Sequence, residues 1–190
     1  MTRLGDVVAV VVGAGQTPGE TIGNGRAIAT TFAREGALVL CVDRIGERAD
    51  QTTESIRSEG GSAEVFVADI TDGDQCDAVV HSALERWGRI DVLVNNVGIG
   101  GRGDGPAHSA DSDAFDRILD VNLRAMWRMC RSVLPSMRDQ RHRSIVNVPL
   151  AASVAGLKPT WTTLMTTAAT AQAMITGTTG MNAGESAATI

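Results

Sequence analysis

The stretch from Val7 to Ala27, which reads VVAVVVGAGQTPGETIGNGRA, constrains the fold of this chain more than any other part of it. It begins with six apolar residues, five of them valine, and such an unbroken run is typical of a strand buried on both faces of a parallel sheet. The run leads into a turn that contains the glycines Gly13, Gly15, Gly19, Gly23 and Gly25. Because glycine has no Cβ, this turn can bend sharply and bring its backbone close to a ligand.

A helix is predicted to follow directly from Asn24, where the sequence reads NGRAIATTFAREG. A strand, a glycine-rich turn and a helix N-terminus together form a site for a phosphate group. Asp43 closes the next apolar run, ALVLCVD, eighteen residues beyond Gly25, and an acidic residue there can accept hydrogen bonds from the ribose hydroxyls of a dinucleotide. The glycines alone fit an ordinary strand-to-helix turn equally well, so the strand, the helix and the spaced acid carry the prediction of a dinucleotide site.

Length and composition exclude several classes of protein. The 190 residues suffice for one domain with a sizeable core, and a net charge of −5 disfavours a general nucleic-acid binder. The chain contains no run of 18 apolar residues, so no membrane span is predicted. Cys41, Cys76 and Cys130 lack the spacing of a metal site and are predicted to be reduced thiols. We therefore predict a single cytoplasmic domain over residues 1–190 without a metal.

Strand-like and helical segments alternate along the chain. Strands are predicted at 7–12, 37–42, 63–69, 90–96 and 144–148, and helices from 24 and over 46–59, 74–87 and 112–139. Gly60-Gly61 is predicted to end the second helix, and Thr71 or Asp72 to cap the third. This alternation predicts an α/β fold, a doubly wound parallel sheet of about five strands with helices on both faces. The tail over 161–182 keeps rough helical spacing and is predicted to form a further helix.

Several motifs in this order resemble the short-chain dehydrogenase/reductase family, and the resemblance extends over essentially the whole chain. The glycine turn resembles the family's cofactor-binding turn, Asp69-Ile70 resembles the pair that contacts adenine, and NNVG at 95–98 resembles the Asn-Asn-Ala-Gly motif. The resemblance implies a Rossmann-like sheet of strand order 3-2-1-4-5 and a nicotinamide dinucleotide as cofactor. The residues that it implies for cofactor binding are Gly13, Gly15, Gly23, Asn24, Gly25, Asp43, Asp69, Ile70, Asn95, Val97 and Gly98.

The catalytic positions of the family are only partly matched. Asn122 in DVNL matches the Asn that holds a water in the proton relay, and Ser153 matches the catalytic Ser. The family's Tyr follows this Ser by thirteen residues and its Lys follows the Tyr by four; here these positions are Thr166 and Thr170. An aliphatic hydroxyl is too weak an acid for this proton transfer, and Thr170 carries no charge that would lower a neighbouring pKa. The resemblance therefore implies an oxidoreductase for a small-molecule alcohol or ketone, impaired or inactive in hydride transfer.

The chain departs from the family pattern in two further places. Nine residues lie between Gly13 and Gly23, where the family has three, and the extra residues 17–22 include the acidic Glu20. This insertion either loops over a bound pyrophosphate or blocks it, and the sequence is compatible with both. The chain also ends soon after the fifth predicted strand, so it is expected to lack the family's further C-terminal strands and its substrate-covering segment.

Charged residues outside these motifs bear on the cofactor and on partners. Arg44 would favour a 2′-phosphate, but the adjacent Asp43 would repel one, so NAD is favoured over NADP. The three histidines are predicted to be solvated, at His81, His108 and His142. Three arginines recur at helical spacing, which predicts a charged face or a helix–helix contact in an oligomer through 112–139; they are Arg124, Arg128 and Arg131.

Three functional hypotheses follow from these observations. The first is an NAD-dependent oxidoreductase whose turnover is impaired. The second is a non-catalytic, NAD-binding pseudoenzyme that acts by association with a complete homologue. The third is a truncated product without function.

Overall fold

Five parallel strands form the sheet of this protein in a computed structural model, which describes residues 2–19, 21–105, 108–138, 140 and 143–148. The strands of this described part are β1 (Val8–Val12), β2 (Leu38–Asp43), β3 (Ser62–Val67), β4 (Val92–Asn95) and β5 (Ser144–Asn147). Their order is β3-β2-β1-β4-β5, and each neighbouring pair is parallel. The predicted strand order and the α/β class are therefore confirmed.

The strands are connected by helices. These are α1 (Asn24–Arg34), α2 (Gly46–Ser58), α3 (Gly73–Trp87), α4 (Ser112–Leu119) and α5 (Ala125–Arg138). A π-helical turn over Asp120–Arg124 joins α4 to α5. The single helix predicted at 112–139 is thus wrong in its middle, because a π turn accommodates one extra residue and rotates the helix faces on its two sides. The helix predicted at 161–182 lies outside the described residues, as do Glu20 and His142.

The strand β1 is buried on both faces, as its unbroken run of valines predicts. Val10 and Val12 belong to the core cluster formed with α3 and α5, whereas Val11 belongs to the cluster formed with α1 and α2. All five residues of β1 are at most 1% exposed. Helices therefore cover both faces of the sheet, and β1 lies at the centre of the molecule.

Several predicted boundaries shift by one or two residues. The strand β3 ends at Val67, so Asp69 belongs to the loop after the strand and not to the strand itself. Asp72, one of the two predicted caps, begins α3 by accepting a hydrogen bond from the backbone N–H of Asp74. Gly60 follows α2 with a φ of +83°, which is the left-handed conformation expected of a helix stop.

An ion-pair cluster ties together the amino ends of β1, β4 and β5. The Asp91 carboxylate accepts hydrogen bonds from the Val8 backbone N–H and from Arg89 Nε, both at 2.8 Å. Arg143, just before β5, lies 2.5 Å from its other oxygen. Burial opposes ionisation of Asp91, but the hydrogen bonds from Arg89 and Val8 and the charges of Arg143 and Arg89 outweigh it, so the pKa of this carboxyl is lowered. At this end of the sheet, the ionised Asp91 carboxylate is paired with both arginines and with the β1 backbone.

Candidate functional site

A cavity of about 410 Å³ opens at the carboxyl ends of the strands. It lies where the strand order reverses between β1 and β4, the place where open α/β sheets bind their ligands. Ten of the eleven residues predicted to bind a cofactor line it, and they are Gly13, Gly15, Gly23, Asn24, Gly25, Asp43, Asp69, Ile70, Val97 and Gly98. The fold thus brings together residues that are up to 85 positions apart in the sequence.

Gly25 lets α1 approach the end of β1 at van der Waals distance. A Cβ added to Gly25 would overlap the carbonyl oxygen of Gly13 and lie 2.7 Å from Asn96 Nδ2. The Asn96 amide donates a hydrogen bond of 3.1 Å to that same Gly13 oxygen. Gly13 itself has a φ of +77°, a conformation that glycine adopts without strain. These contacts fix the N-terminus of α1 against the glycine turn.

The first turn of α1 is uncapped and borders the cavity. No side chain caps this helix, and the first of its N–H groups bonded to a carbonyl is that of Ala27, which donates to Gly23. Within the described part of the chain, no group accepts a hydrogen bond from the backbone N–H of Asn24, Gly25 or Arg26. Unpaired N–H groups at the positive end of a helix dipole favour an anion.

Asp43, the last residue of β2, presents a fixed carboxylate to the cavity. Its Oδ2 accepts a hydrogen bond from the Gly15 N–H and its Oδ1 accepts one from the Ile45 N–H, each at 3.0 Å. A Cβ on Gly15 would lie 2.5 Å from Oδ2, so the turn and the carboxylate fit only with glycine here. Each oxygen retains acceptor capacity for ligand hydroxyls. Two cations, Arg44 and Arg48, line the cavity beside it.

The loop after β3 forms a second acidic wall. Asp69 Oδ1 accepts hydrogen bonds from the backbone N–H and the hydroxyl of Thr71, at 3.0 and 2.7 Å. These bonds lower the pKa of Asp69, which therefore stays ionised at neutral pH. Arg128 on α5 donates to the Thr71 carbonyl and so holds this loop from behind. The predicted charged face is therefore wrong for Arg128, because its side chain is directed inward to this loop.

Asn95 lies beneath the cavity and does not line it. It is 3% exposed, and its Nδ2 donates a 2.9 Å hydrogen bond to Asn147 Oδ1 at the end of β5. Asn95 was predicted to contact the cofactor, but it does not line the cavity. As the last residue of β4, it directs its side chain into the buried interior, toward Asn147. The next residue, Asn96, lines the cavity in its place.

Asn122 lies in the π turn and holds the loop after β4. Its Oδ1 accepts a hydrogen bond from the Ile99 N–H at 2.8 Å, and its Nδ2 donates to the Ile99 carbonyl at 2.9 Å. Ile99 and Val121 both line the cavity. The side chain therefore orders this wall, and the water that Asn122 is predicted to hold stays a prediction. Ser153, Thr166 and Thr170 lie outside the described residues.

The remaining titratable groups take no part in the cavity. His81 is exposed and lies 3.0 Å from Glu85, and His108 is exposed on its loop. The three cysteines are free, and burial raises the pKa of both Cys41 and Cys76 to about 11. Among the described residues no group of His, Cys, Asp and Glu could hold a metal, and no helix is long and apolar enough to cross a membrane.

Several wall residues were missed by sequence reasoning. Three of them, Ala68, Asn96 and Val148, directly follow a strand, a signal that could have found them, whereas Val121 is brought in only by the π turn. The missed residues are Thr17, Arg48, Ala68, Thr71, Asn96, Ile99, Val121 and Val148.

The parallel sheet, the glycine turn, the start of α1 and the carboxylate after β2 are features typical of the doubly wound α/β class of proteins. The chain belongs to the short-chain dehydrogenase family, whose model, described as short chain dehydrogenase, matches residues 7–186.

Curated and solved relatives agree with this family. The chain is 34% identical over 154 residues to a 3-oxoacyl-[acyl-carrier-protein] reductase of Thermotoga maritima, a match covering 81% of this chain and 59% of the relative. A structure from Burkholderia xenovorans, assigned to the short-chain dehydrogenase/reductases, has a TM-score of 0.82 at 36% identity. The match covers 90% of this chain and 68% of the Burkholderia chain. A metagenomic short-chain oxidoreductase in complex with NADP has a TM-score of 0.77 at 30% identity, covering 91% and 75%. The chain spans 56–59% of the length of the first three curated relatives that it matches.

Proposed function

We propose that this chain binds a nicotinamide dinucleotide in the cavity and descends from oxidoreductases acting on an alcohol or ketone, with impaired hydride transfer. One observation carries the proposal. The unpaired N–H groups at the start of α1 and the fixed carboxylate of Asp43 border the same cavity, at the topological switch point of the sheet. The N–H groups suit the pyrophosphate of a dinucleotide, and the two oxygens of Asp43 suit the hydroxyls of the ribose next to it.

The residues present fit such a cofactor. Gly23, Asn24 and Gly25 would hold the pyrophosphate at the unpaired N–H groups, and Asp43 would accept hydrogen bonds from the ribose hydroxyls. Asp69 and Ile70, which line the same cavity, would contact the adenine. When bound, the nicotinamide ring supplies or accepts the hydride.

NAD is the preferred cofactor in this proposal. A 2′-phosphate would approach the Asp43 carboxylate, and two like charges in a partly dry site repel each other. Arg44 and Arg48 would reduce this repulsion, and the metagenomic relative is a complex with NADP. We expect NADH to bind more tightly than NADPH and the Asp43→Asn variant to lose most of that difference.

Calorimetric titration of the purified chain tests the cofactor site. Saturable binding of NADH is expected, and it should be lost in Gly25→Ala, where the added Cβ overlaps the Gly13 carbonyl. Gly73→Ala is the matched control, because Gly73 also lies in the first turn of a helix and an added Cβ there meets nothing within 4 Å. A folded, monodisperse sample without saturable binding would refute the proposal.

Impaired turnover follows from the residues at the family's Tyr and Lys positions, Thr166 and Thr170. General acid–base catalysis contributes about 10²–10⁴ in rate, so its loss leaves little turnover. We expect Thr166→Tyr combined with Thr170→Lys to raise kcat for alcohol or ketone substrates. Measurable turnover of the natural chain that vanishes in Ser153→Ala would show that the proton relay works without Tyr and Lys.

A second candidate function is association with a copy or a complete homologue through helix 112–139, and one observation favours it. Three large apolar side chains are exposed along the π turn and α5, Leu123 at 39%, Trp127 at 55% and Leu134 at 45%. Their spacing places them on one side of the helix. We expect Trp127→Ser to weaken self-association or homologue binding in sedimentation experiments. A chain that is monomeric at all concentrations and does not bind a homologue contradicts this function.

The three free thiols favour a cytoplasmic location.

A further inference from the structure

Gln16 controls the shape of the six-residue insertion without lining the cavity. Its Nε2 donates hydrogen bonds to the carbonyl oxygens of Thr17 at 2.7 Å and of Thr21 at 3.0 Å. Its Oε1 accepts a hydrogen bond of 2.8 Å from the Gly23 N–H. One side-chain amide thus bridges the beginning and the end of the insertion and the residue from which α1 starts.

We propose that Gln16 is a positioning residue for the phosphates of the dinucleotide. Its hydrogen bonds hold Thr17, Thr21 and Gly23 together at the border of the phosphate site, next to the N-terminus of α1. This inference rests on the proposed function, because the phosphates are those of the cofactor proposed above.

The cavity wall shows how Gln16 would act. Its chain neighbours Gly15 and Thr17 line the cavity, and so does its hydrogen-bond partner Gly23, whereas Gln16 is absent from the lining. The bond to Gly23 holds the N-cap in its extended conformation, with φ −71° and ψ 149°, which sets the direction of α1. The unpaired N–H groups that follow are thereby oriented by a residue that does not touch the ligand.

The two donated bonds have an electrostatic consequence. A carbonyl oxygen carries a partial negative charge and therefore repels a phosphate group. The Gln16 amide binds two such oxygens, those of Thr17 and Thr21. The two carbonyl oxygens are therefore paired, whereas the N–H groups at the start of α1 stay unpaired. This combination favours an anion at this edge of the cavity.

The test compares ligands with and without phosphate. ADP and adenosine are titrated calorimetrically into the full chain and into Gln16→Met, which keeps the side-chain length but loses the amide. Gln51→Met is the matched control, since Gln51 is an exposed glutamine on α2 that does not line the cavity. We expect Gln16→Met to weaken ADP binding about tenfold, the effect of one to two net hydrogen bonds, and to leave adenosine binding unchanged.

A second variant keeps the test decisive if Gln16→Met does not fold. Gln16→Glu retains an acceptor for the Gly23 N–H but loses both donors and adds a negative charge, so it should weaken ADP by more than tenfold, again without an effect on adenosine. In the ligand-free chain, amide exchange at Gly23 should be faster in Gln16→Met and unchanged in Gln16→Glu.

The outcomes separate this inference from the proposed function. Equal ADP affinity in the natural chain and in both variants overturns the role of Gln16 while the dinucleotide site stands. A parallel loss of ADP and adenosine affinity also overturns it, because the residue would then be merely structural. A natural chain that binds neither ADP nor NADH overturns the proposed function, and the inference with it.

Discussion

The amino and carboxyl ends of the strands differ in how many of their charged and polar groups have partners within the protein. At the amino ends, the Asp91 carboxylate is 6% exposed and is engaged by two arginines and by a backbone N–H. At the carboxyl ends, the N–H groups that begin α1 have no partner in the described part of the chain, and Asp43 keeps free acceptor capacity. The Asp91 carboxylate at the amino ends is thus paired within the protein, whereas the N–H groups of α1 and the Asp43 carboxylate at the carboxyl ends can bind a ligand.

This difference separates stability from function within a single sheet. A buried carboxylate with all its partners can lose none of them without leaving a charge unpaired. Polar groups at a cavity wall are solvated when no ligand is present, so they cost little stability and remain available. Substitutions of the paired charges at the amino ends should therefore act mainly on folding, and substitutions of the polar side chains in the cavity wall mainly on binding.

The largest effect is expected for Asp91→Ala. Removing the carboxylate leaves Arg143 in a site where only 14% of its side chain is exposed, and breaking a buried pair in this way costs about 3–5 kcal/mol. Urea unfolding of the natural chain and the variant measures the loss.

The exposed pair of Arg34 and Glu59 is the control for Asp91→Ala. These side chains lie 2.7 Å apart but are 62% and 39% exposed, so Glu59→Gln should lower the free energy of unfolding much less than Asp91→Ala. A similar cost for both variants would show that the amino-end cluster is no more than a surface ion pair.

Gly25→Ala should have the next largest effect. The clash with the Gly13 backbone cannot be relieved by a side-chain rotation, so we expect a cost of about 3 kcal/mol, the upper end for overpacking. Gly73→Ala should be neutral or slightly stabilising, because alanine favours helix over glycine. Thermal unfolding of both variants checks this, and a fully stable Gly25→Ala would mean that α1 lies farther from β1.

Asn122→Ala should have a smaller effect on stability. The change removes two hydrogen bonds to Ile99, each worth about 1 kcal/mol net. Faster amide exchange at Ile99, with the exchange of β1 unchanged, would locate the effect in the loop after β4. Asp116→Ala, on the exposed side of α4, is a suitable control.

The smallest effect is expected from pH. Because the folded state lowers the pKa of Asp91, its contribution to stability is present above the unfolded value of about 3.9 and is lost as the pH falls through the folded value. Unfolding free energies measured between about pH 6 and pH 3 should fall more steeply for the natural chain than for Asp91→Asn. Identical slopes would contradict the stabilisation of this carboxylate.

The sequence predicts features that depend on local pattern. Valine runs and glycine stops predicted the strands and the helix ends, whereas the strand order came from the family resemblance. The spacing of Asp43 from the glycine turn predicted its place in the cavity wall. Asn95 was misplaced because a strand alternates its side chains between two faces, and the motif does not tell which of two adjacent asparagines faces the ligand.

Features that depend on distant contacts were not predictable. The π turn at Asn122 responds to a loop more than twenty positions away, with which its side chain exchanges two hydrogen bonds. Arg128 was indistinguishable in sequence from its solvated neighbours, because its partner is the Thr71 carbonyl, 57 positions earlier. In both cases the partner is a backbone group, which leaves no signature in residue type.

The central position of β1 has a consequence for how this chain is made. β1 leaves the ribosome before both of its neighbours. It can pair with β2 soon afterwards, but its other edge waits for β4, whose neighbour Asp91 lies 83 positions beyond Val8. At about 5–20 residues per second, this delay amounts to roughly 4–17 s. During that interval an entirely apolar strand has one open edge, which is the geometry most prone to pairing with a neighbouring nascent chain. The sequence separation of β1 and β4 therefore sets how long this edge stays open to pairing with another chain during synthesis.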